Sequence, residues 1–489
     1  MSGISGGSAQ AAADDMIFTD ATALSRAIAA RQISCVEVMR TYLDRIRRFN
    51  PVHNAIISMR DEDVLLAEAA DADADLAAGR HRGWMHGFPL AVKDLAATAG
   101  IPTTFGSPLF ADNVPDQDCL MVSRMRAAGA IIIGKTNTPE FGLGSHTYNP
   151  LHGITRNAWN PALSAGGSSG GTAVSLALGM QPVADGSDMM GSLRNPGAFN
   201  NVLGLRPSFG RVPNAPKPES FVHQLSTDGP MATSVRDLAH LLDIQSGYDP
   251  SAPLSLADPE APFAAGLEGD VTGLRIGWIG DWNGYYTCEA GILDLCTAAV
   301  EQFAALGAVV EPLVPDFAPE QLWQAWIVLR NWAVTGTYAP YHADPATRDL
   351  LKPELVWEIE QGLKLSAQDV HRASVLRSDW YRCIDDLFSR YDAIAMPTAQ
   401  VFPFDAEISW PDRIGARAMD TYHRWMEVVI AGTLSGCPAI NLPAGFDATG
   451  RPTGFQLIGR PRGEQQLLRM AARYEEATDW LSMRPQGAV

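Results

Sequence analysis

Positive charge is scarce in this sequence. Lys and Arg number 37 against 55 Asp and Glu, a formal net charge of −18. Nucleic-acid binding rests on basic patches that neutralise phosphate, so the balance argues against that partner. It argues equally against an anionic membrane surface. Cysteine is sparse too. Cys35, Cys119, Cys288, Cys296, Cys383 and Cys437 are scattered, and no two have CxxC spacing. Such thiols are expected to stay free in a reducing compartment. Residues 1–15 carry neither the basic start nor the apolar run of a secretory signal. No stretch approaches the apolar length of a membrane span. A cytoplasmic protein with no metal and no cofactor is therefore expected. Internal repeats are absent as well.

What is present reads as an ordinary globular protein. The chain has 489 residues, 46% apolar and 19% charged, enough to bury a large core. Residues 1–15 are rich in Gly, Ser and Ala and are expected to be a disordered tail. Residues 16–80 form a helical segment. Asp20 to Arg31 is a short helix, and Ser34 with Glu37 makes a capping box for a second. Asn50-Pro51 is expected to stop that helix. A third runs from Asp61 to Ala78 and ends at Gly79. Its DADAD run is read as a solvated face. Leu90 to Val92 and Ala130 to Gly134 are buried strands. Leu274 to Ile279, Ala290 to Leu306 and Ala308 to Val310 read as strand, helix and strand, which implies parallel pairing through a crossover. Asp249 to Leu267 is the best internal boundary candidate. Residues 317–342 hold Trp323, Trp326, Trp332, Tyr338 and Tyr341, read as helix core or as an aromatic cover over a substrate channel.

One stretch organises the rest: Ser164 to Arg206. It holds Gly166-Gly167-Ser168-Ser169-Gly170-Gly171 and, further on, Gly186-Ser187-Asp188-Met189-Met190-Gly191-Ser192. Glycines beside serine let the backbone approach a substrate carbonyl closely. Successive N–H groups in such a loop supply the donors of an oxyanion hole. The run Thr172 to Leu178 between them reads as a buried helix, followed by the strand-like Pro182-Val183-Ala184. A phosphate-loop reading fails, because no Lys-Ser/Thr pair follows the glycines.

The stretch resembles the amidase signature family, marked by GGSSGG followed by a G-S/T-D-x-G-G-S-x-R segment. Ser168 and Ser192 stand 24 positions apart, as its two catalytic serines do. Upstream, Gly87-Phe88-Pro89-Leu90-Ala91-Val92-Lys93-Asp94 matches its G-x-P-x-x-x-K-D segment, whose Lys is catalytic. The resemblance runs from about Asp20 to about Trp480. It implies an α/β fold: a single large domain with a central mixed, largely parallel twisted sheet flanked by helices. The catalytic domain would span 81–480, with a lid or small subdomain around 317–425 and a tail at 481–489.

The resemblance implies Ser192 as nucleophile and Ser168 as a relay, preceded by a cis peptide bond, with Lys93 as the neutral base. Burial must then lower the ordinary Lys pKa of about 10.4. Met189, Met190, Gly191 and Ser192 would present oxyanion N–H donors. Gly142, Leu143, Gly144 and Ser145 would line the acyl pocket. Ser169 and Ser187 would hydrogen bond behind the catalytic groups, and Asp188 with Arg194 would clamp the loop. His146 and His152 are expected to be hydrogen-bonded structural residues. The sequence departs from the family at Met190, where glycine is usual. A side chain there is expected to tune the pocket toward aryl groups.

The implied function is serine amidohydrolysis of small amides or anilides, extending to carbamates (urethanes) and esters, in a monomer or homodimer. One alternative is the family's glutamine amidotransferase subunit, which works with a partner protein. The charge and the aromatic segment fit that role poorly. A second alternative, a non-catalytic binding scaffold, conflicts with the intact Lys93, Ser168 and Ser192.

Overall fold

The glycine-rich stretch folds as helix, strand, helix and strand in close succession. We describe residues 20–488 from a computed structural model; the expected tail at 1–15 lies outside them. Gly170–Ala177 forms a helix with every residue buried. Only small residues allow that depth. A Cβ on Gly171 would lie 2.4 Å from the Asn137 N and 2.5 Å from the Ala55 O. The strand Ala184–Asp188 follows, then the helix Arg194–Asn200 and the strand Leu203–Arg206.

Eight strands form the main sheet. Their order is Val309–Pro312, Arg275–Trp278, Ala393–Pro397, Pro452–Gly459, Ala439–Phe446, Leu203–Arg206, Thr227–Ala232 and Ala184–Asp188. The sheet is mixed and flanked by helices, as expected. Its balance of directions differs from the largely parallel expectation, because two of the seven pairings are parallel. These join Arg275–Trp278 to Val309–Pro312 and to Ala393–Pro397, and the others are antiparallel. Connection length explains the difference. Parallel neighbours need a long crossover, which the helix Ile292–Ala305 supplies for one pair. The short turn Asp447–Arg451 leaves its flanking strands no alternative to antiparallel pairing.

A second sheet carries the upstream lysine. Pro89–Lys93 pairs in parallel with Ile131–Thr136, which pairs antiparallel with Ile56–Ile57. The Ala91 N–H donates to Gln181, and the Lys93 N–H donates to Asp185 at 3.2 Å. These bonds tie the small sheet to the edge of the large one and bring Lys93 to the glycine loops.

Three helices, Ala21–Ala29, Cys35–His53 and Glu62–Ala77, occupy the N-terminal part, with the strand Ile56–Ile57 between the second and the third. The Ser34–Glu37 capping box forms as expected. Pro51 does not stop the second helix, which runs two residues past it and lacks only the bond that the Pro51 N–H would have made. The stop is Asn54, in the left-handed region. Within the DADAD run, Asp73 accepts the Cys35 N–H, and Asp75 pairs with Arg80 and Arg82. The segment from Asp249 is no boundary, because Phe263, Ala264 and Leu267 pack into the main core. All but the first two of residues 317–342 lie in a long helix, Pro319–Ala343, which packs with Pro353–Gly362 and Ala367–Leu387. Trp326 and Trp380 on this layer are fully buried.

Candidate active site

Lys93 ends its strand with 1% exposure. Its Nζ lies 2.8 Å from the hydroxyls of both Ser168 and Ser169 and 3.1 Å from that of Ser187. Burial drives its pKa down to about 7, although the carboxylates of Asp185, Asp228 and Asp188 pull it up. A substantial fraction of this amine is thus neutral, and able to accept a proton, near pH 7. The peptide bond between Gly167 and Ser168 is cis.

The second serine loop is held by one carboxylate. Asp188 accepts the N–H groups of Gly191 at 2.9 Å and Leu193 at 3.2 Å. Arg194 grips it through Nε at 3.0 Å and Nη2 at 2.9 Å, and Asp188 and Arg194 are both fully buried. Burial alone would raise the Asp188 pKa. The guanidiniums of Arg194 and Arg206 overcome that and hold it far below the usual carboxylate range. Arg206, which the sequence analysis missed, also reaches the Asp188 carbonyl. Asp188, expected to clamp the loop with Arg194, thus meets both Arg194 and Arg206.

The loop turns at Gly191, with φ of 80°. A Cβ there would meet Val429 at 2.9 Å, so both the backbone and the space require glycine. Met190 does not take a positive φ. Its side chain is 4% exposed and belongs to the buried cluster that includes Phe199, Trp326 and Val429. The departure from glycine is accommodated by core packing. The neighbouring Met189 meets a charged group instead, with its Sδ 2.8 Å from Arg330 Nη1.

Of the four expected oxyanion donors, Gly191 is committed to Asp188. The N–H groups of Met189, Met190 and Ser192 form no hydrogen bond among the described residues. The Ser192 carbonyl accepts the Ser169 N–H at 3.2 Å, which joins the two serine loops. The structure thus closes the contact from Lys93 to Ser168. It forms no hydrogen bond between the Ser168 and Ser192 hydroxyls. Such contacts are commonly longer before substrate binds.

The segment from Gly142 to Ser145, expected to line the acyl pocket, begins beside these groups. A Cβ on Gly142 would be 3.4 Å from Ser168 Oγ, and one on Gly144 would be 3.6 Å from the Tyr422 ring. Leu143 is buried, and its carbonyl accepts from Lys352 Nζ at 2.8 Å. Ser145 is 2% exposed, and its hydroxyl has no hydrogen-bond partner. His146 is bonded to Ser164 and the Ala406 carbonyl, and His152 to Thr104. Both histidines have the structural partners expected of them.

Sequence reasoning missed a buried cluster near this segment: Arg330, Glu358, Tyr422 and His423. Arg330 and Glu358 lie on two different helices and the adjacent Tyr422 and His423 on a third segment, so no local spacing announces it.

Comparison with known proteins shows the family. The model of the Amidase family matches residues 37–468. An acylamidase of Rhodococcus erythropolis is 34% identical over 474 residues, covering 96% of this chain and 97% of its own. A glutamyl-tRNA(Gln) amidotransferase subunit from Thermosynechococcus vestitus is 34% identical, covering 95% of this chain and 98% of its own. Among solved structures, a bacterial aryl acylamidase of the amidase signature family superposes with a TM-score of 0.88. It is 28% identical and covers 95% of this chain and 97% of its own. The protein is an amide-hydrolysing enzyme acting on C–N bonds. It belongs to the amidase signature family.

Proposed function

We propose that the enzyme hydrolyses small acyl amides and aryl anilides through an acyl-enzyme on Ser192. The observation that carries this reading is the 2.8 Å approach of Lys93 to Ser168 in a buried site, with the Lys93 pKa lowered to about 7. Neutral Lys93 takes the Ser168 proton as Ser168 takes that of Ser192. The Ser192 Oγ then attacks the acyl carbon. The N–H groups of Met189, Met190 and Ser192 receive the developing oxyanion, and one such donor is typically worth about 3–4 kcal/mol of barrier. The relay returns its proton to the departing amine, and water repeats the sequence on the acyl-enzyme. Carbamates and esters pass through the same kind of tetrahedral centre and lie within its scope.

The segment Gly142–Ser145 forms the acyl wall in this reading, and the helices around 317–425 cover it. Leu143 packs with Val334, Leu355 and Ile359 of those helices. The likeness to the acylamidase of Rhodococcus erythropolis and to the bacterial aryl acylamidase supports the acyl-amide assignment. The amidotransferase relatives support a second reading, in which the chain works with partner proteins.

A serine-directed fluorophosphonate tests the nucleophile. Peptide mapping should find one adduct, on Ser192. Anilide hydrolysis should vanish in Ser192→Ala. An adduct elsewhere, with Ser192→Ala still turning over, would overturn the assignment.

A further inference from the structure

We propose that the Arg330–Glu358 pair makes the acyl pocket select uncharged acyl chains, because Glu358 occupies the guanidinium that would otherwise bind a substrate carboxylate. The proposal deepens the acyl-amide reading above and rests on it for the location of the acyl chain.

The pair is buried, with Arg330 at 5% exposure and Glu358 at 0%. Two parallel contacts join it, Nε to Oε2 at 2.9 Å and Nη2 to Oε1 at 3.1 Å. The Tyr422 hydroxyl also donates to Glu358 Oε1, and His423 Nε2 lies 3.1 Å from the same oxygen. Burial would raise the Glu358 pKa, but Arg330 and His423 hold it well below the usual range, so the carboxylate stays charged. Burial lowers the His423 pKa and favours its neutral form. The cluster therefore combines one cation with one anion.

Its position ties it to the acyl site. The third guanidinium nitrogen, Nη1, contacts Met189, three residues before Ser192. Tyr422 faces Gly144, and Gly142 faces Ser168. Lys352 is a second cation behind this wall. It is engaged by the Leu143 carbonyl at 2.8 Å and lies 3.9 Å from Glu354. A guanidinium fork is shaped to take a carboxylate through two parallel bonds. Here Glu358 already fills the fork. A charged acyl chain would lose its hydration without gaining a free countercharge, whereas a neutral chain loses little.

Binding isolates this effect from catalysis. Calorimetry on Ser192→Ala would compare butyranilide with the monoanilide of succinic acid, whose acyl chain ends in a carboxylate. The neutral probe should bind at least about tenfold more tightly. Adding Glu358→Gln keeps the side-chain shape but frees the Arg330 charge. It should raise the anionic-to-neutral affinity ratio by about a hundredfold, and Arg330→Met on top should abolish the gain. Arg330→Met alone is the reciprocal variant and stands in if Glu358→Gln does not fold. It should raise binding of β-alanine anilide, the ammonium analogue.

Four results would overturn the proposal: an unchanged ratio in folded variants, an anionic probe already preferred with Glu358 present, a gain that survives Arg330→Met, or no anilide binding at all. Selective binding of butyranilide without its hydrolysis by the wild-type chain would instead sink the acylation reading and leave this one standing.

Discussion

Lys93 shows how a single residue can have its chemistry set by position. An ordinary lysine is a cation at neutral pH and a poor base. Burial brings this one from 10.5 to about 7, against the pull of Asp185, Asp228 and Asp188. In the relay it must be neutral, so kcat/KM should rise with pH, inflect near 7 and level off above it. The same shift has a stability consequence. The folded pKa lies below the unfolded value, so folding releases this proton between about pH 7 and pH 10. The contribution of Lys93 to stability therefore rises with pH across that window and is least favourable below 7. Lys93→Ala should lose about 10²–10⁴-fold in rate. Near wild-type kcat in that variant, or a flat pH profile, would refute the relay. The residue scale also shows a limit of sequence reading. Met190 stood out because glycine is usual there, yet its side chain packs into the core. The adjacent Met189, marked in the motif only for its N–H, has a side chain that touches Arg330.

The turn from strand Ala184–Asp188 into helix Arg194–Asn200 depends on one carboxylate. Asp188 holds two N–H groups of the turn and balances Arg194 and Arg206 in full burial. Asp188→Asn would leave two buried guanidiniums without a countercharge. Breaking a buried pair in this way costs about 3–5 kcal/mol, which urea unfolding at pH 7 should register. The Asp188 pKa is depressed in the folded state, so its stabilisation is present above the ordinary carboxylate pKa and fades as pH falls below it. The cost of the substitution should therefore shrink in acid. A loss under 1 kcal/mol at pH 7, or one independent of pH, would contradict this account. The importance of the turn was legible because its Gly, Ser, Asp and Arg lie close together in sequence. The strand–helix–strand unit from Arg275 to Pro312 was legible for the same reason. Strand direction elsewhere was not, because it depends on which distant segments become neighbours. The cluster of Arg330, Glu358, Tyr422 and His423 was hidden in the same way.

At the scale of the whole molecule, overall likeness does not choose between the two functional readings. The acylamidase and the amidotransferase relative are both 34% identical to this chain over nearly its full length. One feature that bears on the choice is how much of the site a single chain supplies. Here the helices Pro319–Ala343 and Pro353–Gly362 of the same chain pack over the segment Gly142–Ser145, and Lys352 ties down the Leu143 carbonyl. The proposed base, relay serine, nucleophile loop and acyl wall therefore need no second protein to assemble. A net charge of −18 also opposes docking of a polyanion such as tRNA. The purified chain, without nucleotide or partner, is expected to release 4-nitroaniline from 4-nitroacetanilide with equimolar acetate. Glutamine, which carries both a carboxylate and an ammonium, should be turned over at least about a hundredfold less efficiently, because Arg330 and Glu358 are already paired with each other. Parallel assays of nitroaniline and ammonia on one preparation would decide. Ammonia release from glutamine with no anilide turnover, or anilide turnover that appears only after a second protein is added, would favour the amidotransferase reading.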